Sequence, residues 1–142
     1  MNRQLVSIVI PAYNEEAVLI PCYERLRRIL GQMVDYDFEI VFINDGSFDR
    51  TQALVDELCQ KDEQITSIDL SRNFGKEAAM TAGLEHAAGD AVVIIDADLQ
   101  DPPDLIPQLV AEWRNGYDVV YGKRTQRDGE SWLKKSTAAT FY

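Results

Sequence analysis

The sequence predicts a doubly wound α/β fold, a mainly parallel sheet with helices on both faces. Short runs rich in Val and Ile alternate with longer stretches of helical composition along the chain. Single helices between successive strands imply parallel pairing through right-handed crossovers. The run Ala91-Val92-Val93-Ile94-Ile95 is apolar throughout, the pattern of a strand buried on both faces.

Leu5–Ile10 is apolar and β-branched, and it stops at Pro11. Glu15–Leu30 follows as a helix, with Val18, Leu19, Cys22, Leu26, Ile29 and Leu30 near helical spacing. Asn14 suits its cap, and Glu15 and Glu16 suit a first turn whose free N–H groups favour negative charge. Pro21 predicts a kink or a late start. Phe38–Ile43 is the second strand and runs into the turn Asn44-Asp45-Gly46-Ser47. Asp49 opens a helix to about Gln60 with Ala53, Leu54 and Leu58 facing inward, and Ile65–Leu70 is the third strand. Gly75–Ala88 is an Ala-rich helix with Gly89 as its terminator. Ala91–Ile95 is the fourth strand. Pro103–Arg114 is a helix with Pro at its start, stopped by Asn115-Gly116, and Tyr117–Tyr121 is the fifth strand. Glu130–Tyr142 reads as a helix with Trp132, Leu133, Ser136 and Thr140 on one face. It reaches Phe141 and Tyr142 without a cap, as a cut through a longer protein would. The domain reading is an α/β domain over 1–122, then a basic segment and helix over 123–142 that begin a truncated region.

At 142 residues the chain is long enough for one domain with a real core. Its 46% hydrophobic and 27% charged residues are ordinary for a globular protein, and its net charge of −10 argues against nucleic acid as a partner. Segment 123–135 holds five basic side chains against two acidic ones, a local +3 that leaves −13 elsewhere. A basic tail of this kind suits phosphate or an anionic membrane surface, and equally a solvated helix face. Cys22 and Cys59 have no metal-ligand spacing and read as buried reduced thiols of a cytoplasmic protein. The first residues read as a strand, not a leader, and no apolar run reaches the roughly 20 residues of a membrane span.

In a doubly wound sheet, ligands bind outside the carboxyl ends of the strands. Four loops gather there: Pro11–Glu16, Asn44–Asp49, Ser71–Lys76 and Asp96–Asp101. The last begins Asp96-Ala97-Asp98-Leu99-Gln100-Asp101. Its carboxylates and amide carbonyl are hard oxygen ligands suited to Mg²⁺ or Mn²⁺ bridging a nucleotide's phosphates. Taken alone, the same residues serve as an acidic turn before the helix that Pro102-Pro103 begins. Arg72, Lys76 and Arg124 are candidate phosphate partners, Arg as a bidentate fork and Lys as a point charge near a helix N-terminus. His86 lies mid-helix away from these loops and reads as structural. A nicotinamide-dependent dehydrogenase would share the sheet. However, the first strand leads into Pro11-Ala12-Tyr13-Asn14-Glu15, with no glycine-rich turn to admit a pyrophosphate.

The stretch Val6–Glu16, the turn Asn44-Asp45-Gly46-Ser47 with Asp49 and Thr51, and Asp96-Ala97-Asp98 together resemble inverting family 2 glycosyltransferases of the GT-A fold. Leu70–Ala79 and Asp96–Pro103 resemble, more narrowly, the polyprenyl-phosphate sugar transferases, a group that includes bactoprenol glucosyltransferases and dolichol-phosphate mannose synthases. The resemblance implies a Rossmann-like nucleotide-binding half and a UDP-sugar donor, or a GDP-sugar. It implies Mg²⁺ or Mn²⁺ as cofactor and a polyprenyl (undecaprenyl) phosphate acceptor. It places the enzyme at the cytoplasmic face of the inner membrane, in cell-envelope glycan modification, with self-association as a further expectation. By the same resemblance Asp98 and Gln100 contact the metal, with Asp96 beside it or on the ribose, and Asp96 and Asp98 carry the catalysis. Pro11, Ala12, Tyr13 and Glu15 line the base pocket, Asp45 bonds base or ribose, and Arg72, Lys76, Ala97 and Arg124 complete the nucleotide-sugar site. Further acceptor-site and membrane-anchoring segments of the family lie beyond the equivalent of Tyr142, so residues 123–142 begin the acceptor and membrane side. Two other readings stay open: a family 2 transferase acting on a polysaccharide or other acceptor, and a truncated, non-catalytic nucleotide-binding module.

Overall fold

The computed structural model describes residues 3–98, 103–117, 119–122 and 133–136. The chain forms two compact units, Met1–Pro103 and Asp104–Tyr142. The first is built on four parallel strands, β1 (Gln4–Ala12), β2 (Tyr36–Asn44), β3 (Ile65–Asp69) and β4 (Ala91–Ile94), in the order β3-β2-β1-β4. Helices α1 (Leu19–Gln32), α2 (Thr51–Lys61) and α3 (Lys76–His86) make the crossovers. The path steps from β1 to β2 to β3 in one direction and then returns past β1 to β4. Right-handed crossovers therefore place α1 and α2 on one face and α3 on the other. Both faces are covered, which is why β1 is buried without interruption from Val6 to Ala12 and β2 from Ile40 to Asn44.

Helix α1 starts later than its composition suggests, at Leu19, which leaves Pro21 as its third residue. There the missing N–H costs nothing, because the first four helical N–H groups have no intrahelical partner. Leu19, Cys22, Leu26 and Leu30 form its buried stripe. Asn14 is not its cap. The Glu15 carbonyl instead accepts from the Val18 and Leu19 N–H groups at 3.1 and 2.9 Å. Helix α2 is rotated from the expected phase: Thr51, Val55 and Leu58 are buried and Ala53 is exposed.

The α3 face is packed closely. Ala79 and Gly83, one helical turn apart, are buried against Val9 and Ile43. A Cβ on Gly83 would fall on Val9 Cγ1 and lie 2.7 Å from Ile43 Cδ1. Gly89 does not terminate this helix, which ends at His86 with Ala87 as its cap. Its N–H donates to the buried Ser7 hydroxyl at 2.8 Å, and a Cβ there would crowd Ser7. The Ser7 hydroxyl in turn donates to Glu39 Oε2, which also accepts from the Ala88 N–H at 2.6 Å. This polar cluster fixes the entry into β4.

A 3₁₀ turn, Pro103–Leu105, leads into α4 (Ile106–Arg114) of the second unit, which stops shortly before Gly116 at φ +105°. The expected fifth strand forms as β5 (Val119–Gly122). It pairs antiparallel with β6 (Leu133–Ser136) in a separate two-stranded sheet, not with the parallel one. The helix read over 130–142 is therefore not present at Leu133–Ser136, because pairing with β5 overrides a weak local preference.

Gly83→Ala gains helix propensity of roughly 1 kcal/mol but overpacks a site with no slack, at a cost of about 1–3 kcal/mol. Denaturant unfolding should show a net loss of stability. A gain would mean that α3 stands off the sheet.

Candidate functional site

Strand order reverses between β1 and β4. The chain leaves β1 toward the α1 face, and the α3 crossover delivers β4 from the other, so a crevice opens at their carboxyl ends. The first loop of that edge is tied to the second loop and the start of α2 by five hydrogen bonds, four of them made by Asn14, Glu15 and Glu16. Asn14 adopts φ +52°, where a short polar side chain is tolerated. Its N–H donates to Ser47 Oγ at 2.9 Å, and its Oδ1 accepts from the Phe48 N–H at 2.8 Å. The Glu15 N–H donates to Thr51 Oγ1 at 2.9 Å and the Glu16 N–H to Asp49 Oδ2 at 3.1 Å. Asp49 Oδ1 also accepts the Thr51 N–H at 2.9 Å, satisfying the start of α2.

The second loop is tied to the third through Asp45, only 3% exposed. Its Oδ1 accepts from the Phe74 N–H at 2.8 Å, and its Oδ2 from the Gly75 N–H at 3.1 Å and from Asn73 Nδ2 at 3.3 Å. Asn73 Nδ2 also reaches the Asp45 carbonyl at 3.1 Å, and the Asp45 N–H donates back to the Ala12 carbonyl at 2.9 Å. Gly46, at φ +72°, permits this docking, since a Cβ there would collide with the backbone of Arg72 and Asn73. The clamp holds Gly75 at φ +106°, and α3 begins with the next residue, Lys76. Lys76 Nζ then reaches across to the fourth loop and pairs with Asp96 Oδ1 at 2.6 Å.

These ties bring Pro11, Ala12, Tyr13, Glu15, Asp45, Lys76, Asp96, Ala97 and Asp98 around one cleft of about 170 Å³. A complete small-molecule site is typically about 300–1,000 Å³, so these residues make up part of one. Tyr13 is 40% exposed at its rim and Ala97 is fully buried in its floor. Arg72 is not among the lining residues. Its guanidinium stacks 4.3 Å over the Phe74 ring on the exposed side of the third loop. Gln100 and Arg124 lie outside the described residues. His86 is exposed at the far end of α3. Asn14, Asp49, Thr51 and Asn73, which hold the loops together, were not singled out as site residues in the sequence. Only the turn preference of Asn and Asp hints at them.

The electrostatics of the cleft are acidic. Burial, and then Asp98, Asp96 and Asp49 in that order, push the Glu15 carboxyl above its ordinary range. The buried Cys22 thiol is pushed up to about 11 by desolvation, with Asp98 and Glu15 adding to it, so it is inert as a nucleophile. Such a field favours a cation, and Asp96 and Asp98 are the hard donors a divalent ion prefers. Among the described residues no group of three or more His, Cys, Asp or Glu side chains is placed to hold a metal. Two carboxylates suffice for an ion such as Mg²⁺ that keeps water and takes phosphate oxygens as its remaining ligands. The donor set therefore fits a metal bound together with a diphosphate, not one held by the protein alone.

The sequence model of glycosyl transferase family 2 matches residues 7–140. Among curated relatives, the uncharacterized glycosyltransferase YkcC of Bacillus subtilis is 49% identical over 143 residues, covering 100% of this chain and 44% of the relative. The bactoprenol glucosyl transferase of Shigella phage SfV is 45% identical over 137 residues, covering 96% of this chain and 44% of the relative. The chain thus spans less than half the length of these relatives. Among solved structures, the mannosyltransferase PcManGT from Pyrobaculum calidifontis, in complex with GDP-Man and Mn²⁺, superposes with a TM-score of 0.73 at 25% identity. That match covers 89% of this chain and 37% of PcManGT. The chain belongs to glycosyltransferase family 2, and its parallel sheet with flanking helices has the GT-A fold of these neighbours.

Burial, the largest single influence on Asp49, raises its pKa, but the hydrogen bonds from Thr51 and Glu16 together hold the carboxyl below its ordinary value. A depressed folded-state pKa stabilises above the unfolded value of about 3.9 and is lost as pH falls through the lower folded one. Asp49→Asn should cost about 1 kcal/mol near neutral pH. The gap from wild type in thermal melts should narrow below about pH 4. An equal gap at neutral and acid pH would show that the charge is not what matters.

Proposed function

We propose that this family 2 member forms the nucleotide-sugar side of an inverting transferase that moves a hexose, glucose, from a UDP-sugar to a polyprenyl phosphate at a membrane surface. The observation that carries this reading is the single cleft at the sheet's switch point. Tyr13, Asp45, Lys76 and the Asp96–Asp98 pair all line it. An aromatic wall with a hydrogen-bonding carboxylate suits a nucleoside. A lysine facing a pair of carboxylates suits a diphosphate bridged by a divalent ion. The relatives named bactoprenol glucosyl transferase support glucose and a lipid-phosphate acceptor. PcManGT's complex with GDP-Man supports a nucleotide-sugar in this position and leaves GDP as the rival base.

In this reading Asp96 and Asp98, with Gln100, hold Mg²⁺ or Mn²⁺. A bound divalent ion supplies Lewis-acid stabilisation of the departing diphosphate. Tyr13 flanks the base against Pro11 and Ala12. Asp45 Oδ2 already accepts two hydrogen bonds from the third loop, whereas Oδ1, which accepts the Phe74 N–H, retains capacity for a base or ribose donor. Lys76 neutralises phosphate charge, and Arg72 and Arg124 serve donor or acceptor phosphate from outside the described cleft. The acceptor needs little activation, because a phosphate monoester with a second pKa of about 6 is largely ionised at neutral pH. That fits a cleft with no His or Cys among its lining residues. Among the described residues no helix is long and apolar enough to cross a membrane.

Calorimetry with UDP tests this. Binding should require Mn²⁺, and Asp98→Asn should weaken it at least about tenfold by removing one anionic ligand. Equal affinity in chelator and in Mn²⁺ would contradict the metal role. The chain covers 44% of the bactoprenol glucosyl transferase it matches, and positioning both reactants is worth roughly 7–11 kcal/mol, so the 142 residues should transfer less glucose to a short polyprenyl phosphate in detergent than that full-length relative does. Equal turnover by the two would contradict that expectation.

A further inference from the structure

We propose that Arg72 and Phe74 form a docking point for a phosphate monoester at the head of an apolar chain, with the phosphate on the guanidinium and the first carbons of the chain on the ring. The inference rests on the nucleotide-sugar reading above and goes beyond it by placing the second substrate on the third loop, outside the donor cleft.

The pair is arranged for an amphiphile. The Arg72 guanidinium lies 4.3 Å from the centre of the Phe74 ring. Stacking holds the fork flat and removes water from one of its faces, while its N–H groups, which lie in its plane, stay open to an anion. Among the described residues Arg72 forms no salt bridge. Phe74 is still 48% exposed, so ring surface remains for an apolar chain, and Phe48 on the neighbouring loop is 89% exposed. The backbone under the pair is fixed. Asp45 accepts the Phe74 and Gly75 N–H groups and the Asn73 side chain, and Gly46 lets the Arg72 and Asn73 backbone lie against the second loop. Folding gains little from an aromatic ring left half in water, so a ring held out on a fixed loop calls for a ligand.

Position and charge select that ligand. Arg72 is not among the residues that line the cleft, and three residues separate it from Lys76, which is. That stretch spans at most about 14 Å. An anion on Arg72 is therefore a second anion, close to the donor and not part of it. Sugar transfer to a lipid phosphate has two such anions, the donor's diphosphate and the acceptor's phosphate. Two oxygens of a phosphate monoester match the guanidinium fork. The carbon chain that leaves the same phosphate then meets Phe74. Inorganic phosphate would use one half of the pair and an isoprenoid alcohol the other.

The test titrates the whole 142-residue chain by calorimetry with farnesyl phosphate below its micelle-forming concentration, with inorganic phosphate and with farnesol. UDP with Mn²⁺ is titrated separately. Wild type should bind farnesyl phosphate at least about tenfold more tightly than either half-ligand. Arg72→Gln should weaken farnesyl phosphate at least about tenfold, and Arg72→Lys should recover only part of that, because an ammonium group lacks the fork. Phe74→Ser should weaken it at least about threefold and narrow the gap to inorganic phosphate. In each variant the loss for farnesyl phosphate should exceed any change for UDP at least about threefold. Both side chains are exposed, so the variants should fold, and an unchanged melting temperature checks this. Wild-type affinity for farnesyl phosphate in Arg72→Gln overturns the proposal. An equal loss for UDP also overturns it, because Arg72 would then serve the donor. Wild type that binds UDP but not farnesyl phosphate overturns it and leaves the donor reading standing. Wild type that binds farnesyl phosphate but no UDP counts against the donor reading and supports the docking point.

Discussion

The buried carboxylate of Asp45 is the contact on which the carboxyl edge depends. Loops at a sheet edge have no ladder of their own, and four of them meet here with nineteen or more residues of chain between each. Asp45 joins three. Its N–H bonds back to Ala12 at the end of β1, and its two oxygens take the N–H groups that open α3. Hydrogen bonds to an ionised acceptor are stronger than neutral ones, and leaving a buried carboxylate without partners is costly. The turn and the third loop are therefore held as one piece. Gly46 is the steric side of the same constraint, since any side chain there would separate the surfaces that the carboxylate draws together.

The acidic cleft follows from this scaffold. Docking the third loop sets the first residue of α3, and that residue is the cation facing Asp96. Burial first, and then the charges of Asp98, Asp96 and Asp49, push the Glu15 carboxyl up. Fold and chemistry meet in the stretch from Asn73 to Lys76.

The strands and the cleft were legible in the sequence because their signals are local. The apolar runs Leu5–Ile10 and Ala91–Ile95 both mark strands, although β4, last in the strand order, is not buried throughout as its composition suggests: Val93 is buried and Val92 is 38% exposed. Once the strands are parallel, Pro11–Glu15, Asp45 and Asp96–Asp98 must share one edge. Features set by distant partners were not legible. Asn14 looks like a helix cap, but its side chain serves Phe48, so α1 starts later. The rotation of α2 follows from Asp49 and Thr51 gripping the first loop, which turns Val55 inward and Ala53 outward. Gly89 looks like a helix terminator, but it is a glycine because Ser7 lies against it. Leu133–Ser136 has the composition of a helix and becomes a strand because β5 is there to pair with. The clamp itself joins residues about thirty positions apart by side-chain-to-backbone bonds, and no periodicity encodes those.

The central claim is that one carboxylate organises this edge, and amide hydrogen exchange by NMR tests it most directly. In the wild-type chain the Phe74 and Gly75 amides should be protected although their loop is exposed and outside any regular element. In Asp45→Asn they should exchange at least about tenfold faster, as expected for loss of a charge-assisted bond. Amides of β1 and β2 should keep their protection. Unchanged exchange at Phe74 and Gly75 in the variant would contradict the account, as would fast exchange of both in the wild type.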